Sequence, residues 1–184
     1  MYETIDQLYS GEVDMFKIQE YLAYKYNDLI EVYWEVDGEE EVVNSIWGRL
    51  FRGKRKENKS GYRLEYLDNA VIVSVEFFDK KRETLEALEE ELSKDKKFEL
   101  YRLLKGINGG ILLERAINVD IEEGKIVISL LEEDVEGDEF LGKLVRFFKD
   151  KAVKRLNCNG VGIYDLVYDA DKFGLILGMM SNME

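Results

Sequence analysis

The chain has 184 residues, with 39 Asp and Glu against 26 Lys and Arg and a net charge of −13 at pH 7; a surface of that sign repels bare nucleic acid and anionic membrane. It has no histidine, which removes the usual general base, proton shuttle and commonest metal ligand together. The single cysteine, Cys158, leaves no intramolecular disulfide and no thiolate metal cage.

Residues Met1 to Val13 carry neither the basic region nor the apolar stretch of a secretion signal. No apolar run approaches the roughly 20 residues that span a bilayer. The expectation is a cytoplasmic protein of a bacterial host cell. Hydrophobic residues make up 46% of the chain, enough for a packed core.

From the amino terminus, Asp14 to Asn27 reads as a helix with Met15, Ile18, Leu22, Tyr26 and Leu29 on its buried face. Ile30, Val32, Trp34 and Val36 alternate with polar or exposed positions, the period of a half-buried strand. Asp37-Gly38 supplies a turn, and Val42 to Phe51 is a weaker strand candidate. Tyr62 to Leu67 and Ala70 to Phe78 read as a hairpin across Asp68-Asn69.

Asp79 is a plausible cap for a long charged helix whose inner face is Leu85, Leu88 and Leu92. A break is expected near Ser93 to Lys96, then resumption through Phe98, Tyr101 and Leu104 to an end at Lys105-Gly106. Asn108-Gly109-Gly110 reads as a loop, and Ile111 to Ala116 fits either helix or strand. Ile117 to Ile121 and Lys125 to Leu131 form a second hairpin across Glu122-Glu123-Gly124.

Asp138 would cap an amphipathic helix carrying Leu141, Leu144, Val145, Phe148, Ala152 and Leu156 on one face, stopped by Asn157 to Gly160. Cys158 would be a small buried filler after that helix. Val161 to Asp169 is the last strand, and Gly174 and Gly178 in the apolar tail read as core packing. This order predicts an α+β fold: an antiparallel β-meander and hairpins packed against three or so amphipathic helices. A single domain over 1–184 is expected, or two lobes, 1–105 and 106–184, parting near Lys105 to Gly110.

Charge is the main functional signal. Arg49, Arg52, Lys54, Arg55, Lys56, Lys59 and Arg63 stand against only Glu57. Gly53, Ser60 and Gly61 mark a loop there, and Trp47, Phe51 and Tyr62 flank it as bases-stacking candidates. A solvated hairpin tip is the plain alternative; the functional reading is contact with nucleic-acid phosphate or an acidic protein patch. The acidic counterpart is Glu132, Glu133, Asp134, Glu136, Asp138 and Glu139. Asp37 and Glu39 to Glu41 form a second cluster, and Glu83, Glu86, Glu89, Glu90 and Glu91 line the long helix. Rows of carboxylates imitate the charge of a nucleic-acid backbone and fit a basic groove on another protein; solubility and helix-dipole complementarity are the alternative.

Catalytic signatures are weak. Residues 132–139 lack the calcium-loop pattern, and Asp165 and Asp169 stand too far apart along a strand to share an ion. Glu123-Gly124-Lys125 with Asp120 matches the end of a nuclease site, but Glu57-Asn58-Lys59 matches equally well. Neither phosphate-cradle nor dinucleotide glycine patterns are complete, and Ser-His-Asp chemistry has no histidine. No cofactor and no catalytic residue are assigned. The alternative to a binding protein is a carboxylate-only, metal-dependent nuclease or phosphodiesterase.

In size, acidity, missing catalytic residues and a proline-free, Lys-, Glu-, Ile- and Asn-rich composition suggestive of an AT-rich genome, the chain resembles small acidic phage-encoded inhibitors of the anti-CRISPR type. The resemblance is one of general character, spread over the whole chain, and transfers no functional residue. It implies a non-enzymatic inhibitor of a Cas9-type effector with its guide RNA, blocking DNA binding or cleavage. The partner expected from charge is a basic nucleic-acid-binding protein or ribonucleoprotein, with possible nucleic-acid contact through 49–63 and no membrane. An acidic bacterial interaction or immunity module fits the same surface chemistry.

Overall fold

The described residues form two sheets, one in each of two units. The computed structural model describes residues 2–34, 62–67, 71–75, 82–172, 175, 178–179 and 182. The units are Met1–Asp95 and Lys96–Glu184. The fold class is α+β, as expected. The division falls at the break between two helices, whereas the two-lobe reading placed it in the loop after the second.

In the first unit, a short helix α1 (Ile5–Leu8) is followed by α2 (Met15–Lys25). Asp14 caps α2, its side chain accepting from the Lys17 N–H at 2.9 Å, which satisfies a donor left over at the helix start. Ile18, Tyr21 and Leu22 are buried. Past the helix, Asn27 and Asp28 both adopt left-handed backbone, with φ of 53 and 54; short polar side chains tolerate this conformation best. They turn the chain into β1 (Ile30–Trp34).

The sheet order is β1-β3-β2, with β2 (Tyr62–Tyr66) and β3 (Val71–Val75) antiparallel as the hairpin reading expects. β1, however, runs parallel to β3. That corrects the expectation of a purely antiparallel meander: consecutive strands pair antiparallel only when a short turn joins them, and 27 residues separate β1 from β2 here. The weaker strand at 42–51, the turns at 37–38 and 68–69 and the cap at Asp79 lie outside the described residues.

α3 (Arg82–Lys94) buries Leu85, Leu88 and Leu92 on the predicted face. The helix breaks at Asp95, inside the expected window, and α4 (Lys96–Lys105) follows with Phe98, Tyr101 and Leu104 buried.

In the second unit, a 3₁₀ turn at Asn108–Gly110 leads to α5 (Ile111–Arg115), resolving the ambiguous segment as helix. β4 (Ala116–Glu122) and β5 (Lys125–Leu131) then form the predicted hairpin. Its two-residue tip has φ of 48 at Glu123 and 77 at Gly124, the double positive-φ conformation that matches strand twist. α6 (Glu132–Gly137) and α7 (Glu139–Phe147) follow, with Asp138 capping α7 through the Leu141 N–H at 2.9 Å. β6 (Ala152–Leu156) and β7 (Gly162–Asp169) complete a four-stranded antiparallel sheet in the order β4-β5-β7-β6. Its core side is built by Ile126, Ile128 and Leu130 of β5 with Leu166 and Tyr168 of β7, all buried.

Residues 152–156 correct the helix expectation. Leu141, Leu144, Phe148, Ala152 and Leu156 follow helical spacing, yet the helix stops at Phe147 and the Lys151 N–H turns back to the Phe148 carbonyl at 2.7 Å. Pairing along β7 overrides the local pattern. In consequence Leu156 is exposed, and Cys158, expected in the core, is exposed in the β6–β7 turn. There the Asn157 side chain accepts from the Asn159 and Val161 N–H groups at 2.8 and 2.9 Å. Gly178, Leu175 and Met179 are exposed, so the tail's described residues are not core.

Tyr168 is 2% exposed, packs edge-to-face on Phe148 at 5.1 Å, and its hydroxyl has no hydrogen-bond partner among the described residues. Burial raises its pKa. With the folded pKa above the unfolded one, this contribution is full below about pH 10 and is lost as pH rises toward the folded value. Tyr168→Phe should therefore be neutral or stabilising by about 1 kcal/mol at pH 7, since no bond is lost and a desolvated hydroxyl is removed. The variant should also lose less stability than the wild type above pH 10. Urea denaturation at both pH values checks this; a loss of more than about 2 kcal/mol at pH 7 would mean the hydroxyl is bonded.

Candidate binding surfaces

The carboxylates divide into those with structural partners and those left to solvent. On α3, Glu89 accepts from the Tyr21 hydroxyl and from Lys25 Nζ, each at 2.5 Å. Lys25 also lies over the Tyr21 and Tyr26 rings, at 5.2 and 5.8 Å. Glu91 accepts from the Tyr62 hydroxyl at 2.5 Å, and Asp95, just past the helix, from Tyr66 at 2.5 Å. Burial and the bond to Glu89 push the Tyr21 pKa up, so this phenol stays a donor.

Glu83, Glu86 and Glu90 occupy the exposed side of α3, at spacings that stack them along one stripe. Glu86 pairs with Arg82 and Glu90 with Lys94, four residues apart in each case; Arg82 also bonds Asp6. The Lys94 hydrogen bond holds the Glu90 carboxyl below its usual range. Such exposed pairs contribute little to stability.

The predicted acidic cluster sorts more sharply. Glu132, Asp134 and Asp138 are half-buried, whereas Glu133, Glu136 and Glu139 are exposed. Glu132 bonds Lys154, raising that lysine's pKa. Asp134 pairs with Arg115 at 3.4 Å, and Asp138 is the α7 cap. Of the exposed three, Glu139 pairs with Lys143 at 2.9 Å, which lowers its pKa; Glu133 and Glu136 form no salt bridge among the described residues. What remains for a partner is three exposed carboxylates, two on α6 and one at the start of α7. The chain order alone did not separate these three from their structural neighbours.

Glu132 also lies over Gly162, where a side chain would collide with its carboxylate. The sequence offered no sign of that role, because residues 132 and 162 meet only through the sheet.

On the basic side, Arg49, Arg52, Lys54, Arg55, Lys56 and Lys59 lie outside the described residues, as do Trp47, Phe51, Asp37 and Glu39 to Glu41. Arg63 is placed on β2 by its backbone, opposite Ser74 of β3.

Asp120, Asp165 and Asp169 each have a partner within the fold. Asp120 accepts from Lys97 Nζ at 3.2 Å and from the Ile121 N–H at 2.8 Å, and Glu123 is exposed in the hairpin tip. Asp165 accepts from the buried Ser129 hydroxyl at 2.7 Å and from Arg155 Nε at 2.5 Å. Asp169 pairs with Lys172 at 3.1 Å, which lowers its pKa. Among the described residues, no three His, Cys, Asp or Glu side chains cluster as metal ligands, and no helix is long and apolar enough to cross a membrane.

Gly162→Ala should displace the Glu132 carboxylate and cost about 1 to 2 kcal/mol, the usual range for overpacking. Adding Glu132→Ala should make the glycine substitution less costly, because the carboxylate is gone and only the Cβ contact at 3.0 Å remains. A double-mutant cycle by chemical denaturation measures the coupling; strict additivity would show that the two residues do not touch. Comparison with known proteins gives no matching family model, no matching curated protein and no matching solved structure.

Proposed function

We propose that the protein is a non-enzymatic inhibitor that docks through acidic surfaces on a basic, nucleic-acid-handling protein or ribonucleoprotein. Blocked DNA binding or cleavage is the outcome, and a Cas9-type effector with its guide RNA is the first partner to assay. One observation carries the reading: Glu133 and Glu136 on α6 and Glu139 at the start of α7 are exposed, while Glu132, Asp134 and Asp138 beside them in sequence are tied into the fold.

A group of exposed carboxylates does little for stability but much for encounter. Complementary fields speed association and exclude competing polyanions from a cationic groove. The exposed stripe on α3 adds charge of the same sign. Within this reading, the 49–63 segment would meet nucleic acid or an acidic patch of the same partner. The nuclease alternative draws no comparable support, because Asp120 is neutralised by Lys97 and Glu123 lies on a solvent-exposed turn. An immunity-type module would use the same carboxylates against a basic toxin.

Glu133→Gln, Glu136→Gln and Glu139→Gln combined should slow association with a Cas9-type ribonucleoprotein about tenfold at low salt, leaving dissociation less affected. The melting temperature should stay close to that of the wild type, since exposed charges contribute little to stability. Surface plasmon resonance across a salt series, with DNA cleavage in parallel, reads both effects. A pull-down from nuclease-treated bacterial lysate extends the search to other basic partners. Association unchanged in the triple variant, or binding that survives molar salt, would overturn the reading.

A further inference from the structure

We infer that the free edge of β6 is a docking site for an extended peptide segment of another protein, with alternating apolar and acidic residues. β6 is the outer strand of its sheet, pairing only with β7 among the described residues. The Val167 N–H bonds the Lys151 carbonyl at 2.9 Å, and the Asn157 N–H bonds the Val161 carbonyl at 3.0 Å. Hydrogen-bonded pairs alternate along an antiparallel ladder, so Val153 and Arg155 also bond inward. The N–H and C=O groups of Ala152, Lys154 and Leu156 therefore face away from the sheet, offering donors and acceptors in alternation.

Natural edges are customarily blunted by proline, bulges or charge. This chain has no proline, and the β6–β7 register runs without a shift. Charge is present, but the two cations on the strand are already engaged: Lys154 with Glu132 and Arg155 with Asp165. Apolar side chains stand open instead, Val153 at 57% exposure and Leu156 at 69%.

The occupant's chemistry follows from the cations beside the edge. Arg146, Lys149, Lys151, Lys154 and Arg155 stand against Asp150 alone, in a protein of net charge −13. Lys149 and Lys151 are exposed and form no salt bridge among the described residues, so they favour an acidic guest. A nucleic-acid strand would satisfy those lysines but offers phosphate acceptors to the backbone, not the alternating pattern of a strand. A second copy of this chain, paired antiparallel about the central outward residue, would set Asn157 opposite Lys151 and Asn159 opposite Lys149, giving those lysines no carboxylate. An acidic, apolar strand satisfies the amides and the carbonyls, its apolar side lying over Ala152 and Leu156 and its acidic side along the opposite face that Lys151 and Val153 share.

The test uses the full chain and three fluorescent probes: a short peptide alternating valine and glutamate, its valine–lysine counterpart, and a single-stranded oligodeoxynucleotide. Anisotropy should show saturable binding of the valine–glutamate peptide only. Binding should give amide-exchange protection to Ala152, Lys154 and Leu156. Ala152→Pro removes one outward donor while leaving the β7 ladder intact and should weaken the peptide about tenfold, the upper range of one hydrogen bond. Lys149→Glu with Lys151→Glu should weaken it at least as much, and serves where the proline variant fails to fold. Failure of the valine–glutamate peptide to bind, equal binding of the lysine peptide, preference for the oligonucleotide, or protection of these amides by self-association would each overturn the proposal. The Glu133, Glu136 and Glu139 variant should leave peptide affinity unchanged, so this site and the acidic surface fail independently.

Discussion

Tyr21, Tyr62 and Tyr66 donate to Glu89, Glu91 and Asp95, while Ser129 and Arg155 converge on Asp165 and Lys154 closes on Glu132. Each bond answers the same constraint. A carboxylate drawn partly out of solvent on folding needs a donor. In the first unit the donors are largely phenols, which bring apolar area and a polar tip in one side chain. In the second they are basic groups and a buried serine on neighbouring strands.

This disposition of acids separates structure from surface. Glu132, Asp134 and Asp138 are held by Lys154, Arg115 and a helix end; Glu133, Glu136 and Glu139 are held by little or nothing beyond one exposed ion pair. The pair between Glu132 and Lys154 also joins two surfaces of opposite sign, since Glu132 opens the acidic α6 and Lys154 stands mid-strand in the cationic β6. Electrostatics of this kind sets encounter and orientation more than affinity.

Several elements were legible because they are local. Asp14 and Asp138 announce helix starts through their own side chains, and both do cap. Glu123-Gly124 between two apolar runs makes a tight hairpin because both residues reach positive φ there. The leucines at 85, 88 and 92 mark one face of α3 whatever lies opposite. The short helices α1 and α6 left no periodic trace, being too short for one. Ala152 and Leu156 continue the helical spacing of α7, and only pairing with β7 makes that segment a strand. The parallel pairing of β1 with β3 was equally hidden, since nothing in either strand names its neighbour. The same helical spacing concealed both the exposed Cys158 and the cationic edge.

Taken alone, the order of residues determined the α+β class, most helix faces, both hairpins, the acidity and the absence of histidine chemistry. These follow from near-neighbour sterics, side-chain periodicity and composition, which need no knowledge of distant contacts. Tertiary structure alone decided which acids are spent, which strand lies at the edge and which backbone groups face outward. Those outcomes depend on residues such as Ser129 and Asp165, or Glu132 and Lys154, brought together across strands. Their energies become available only when the sheet closes the loops between them, so no local pattern records them.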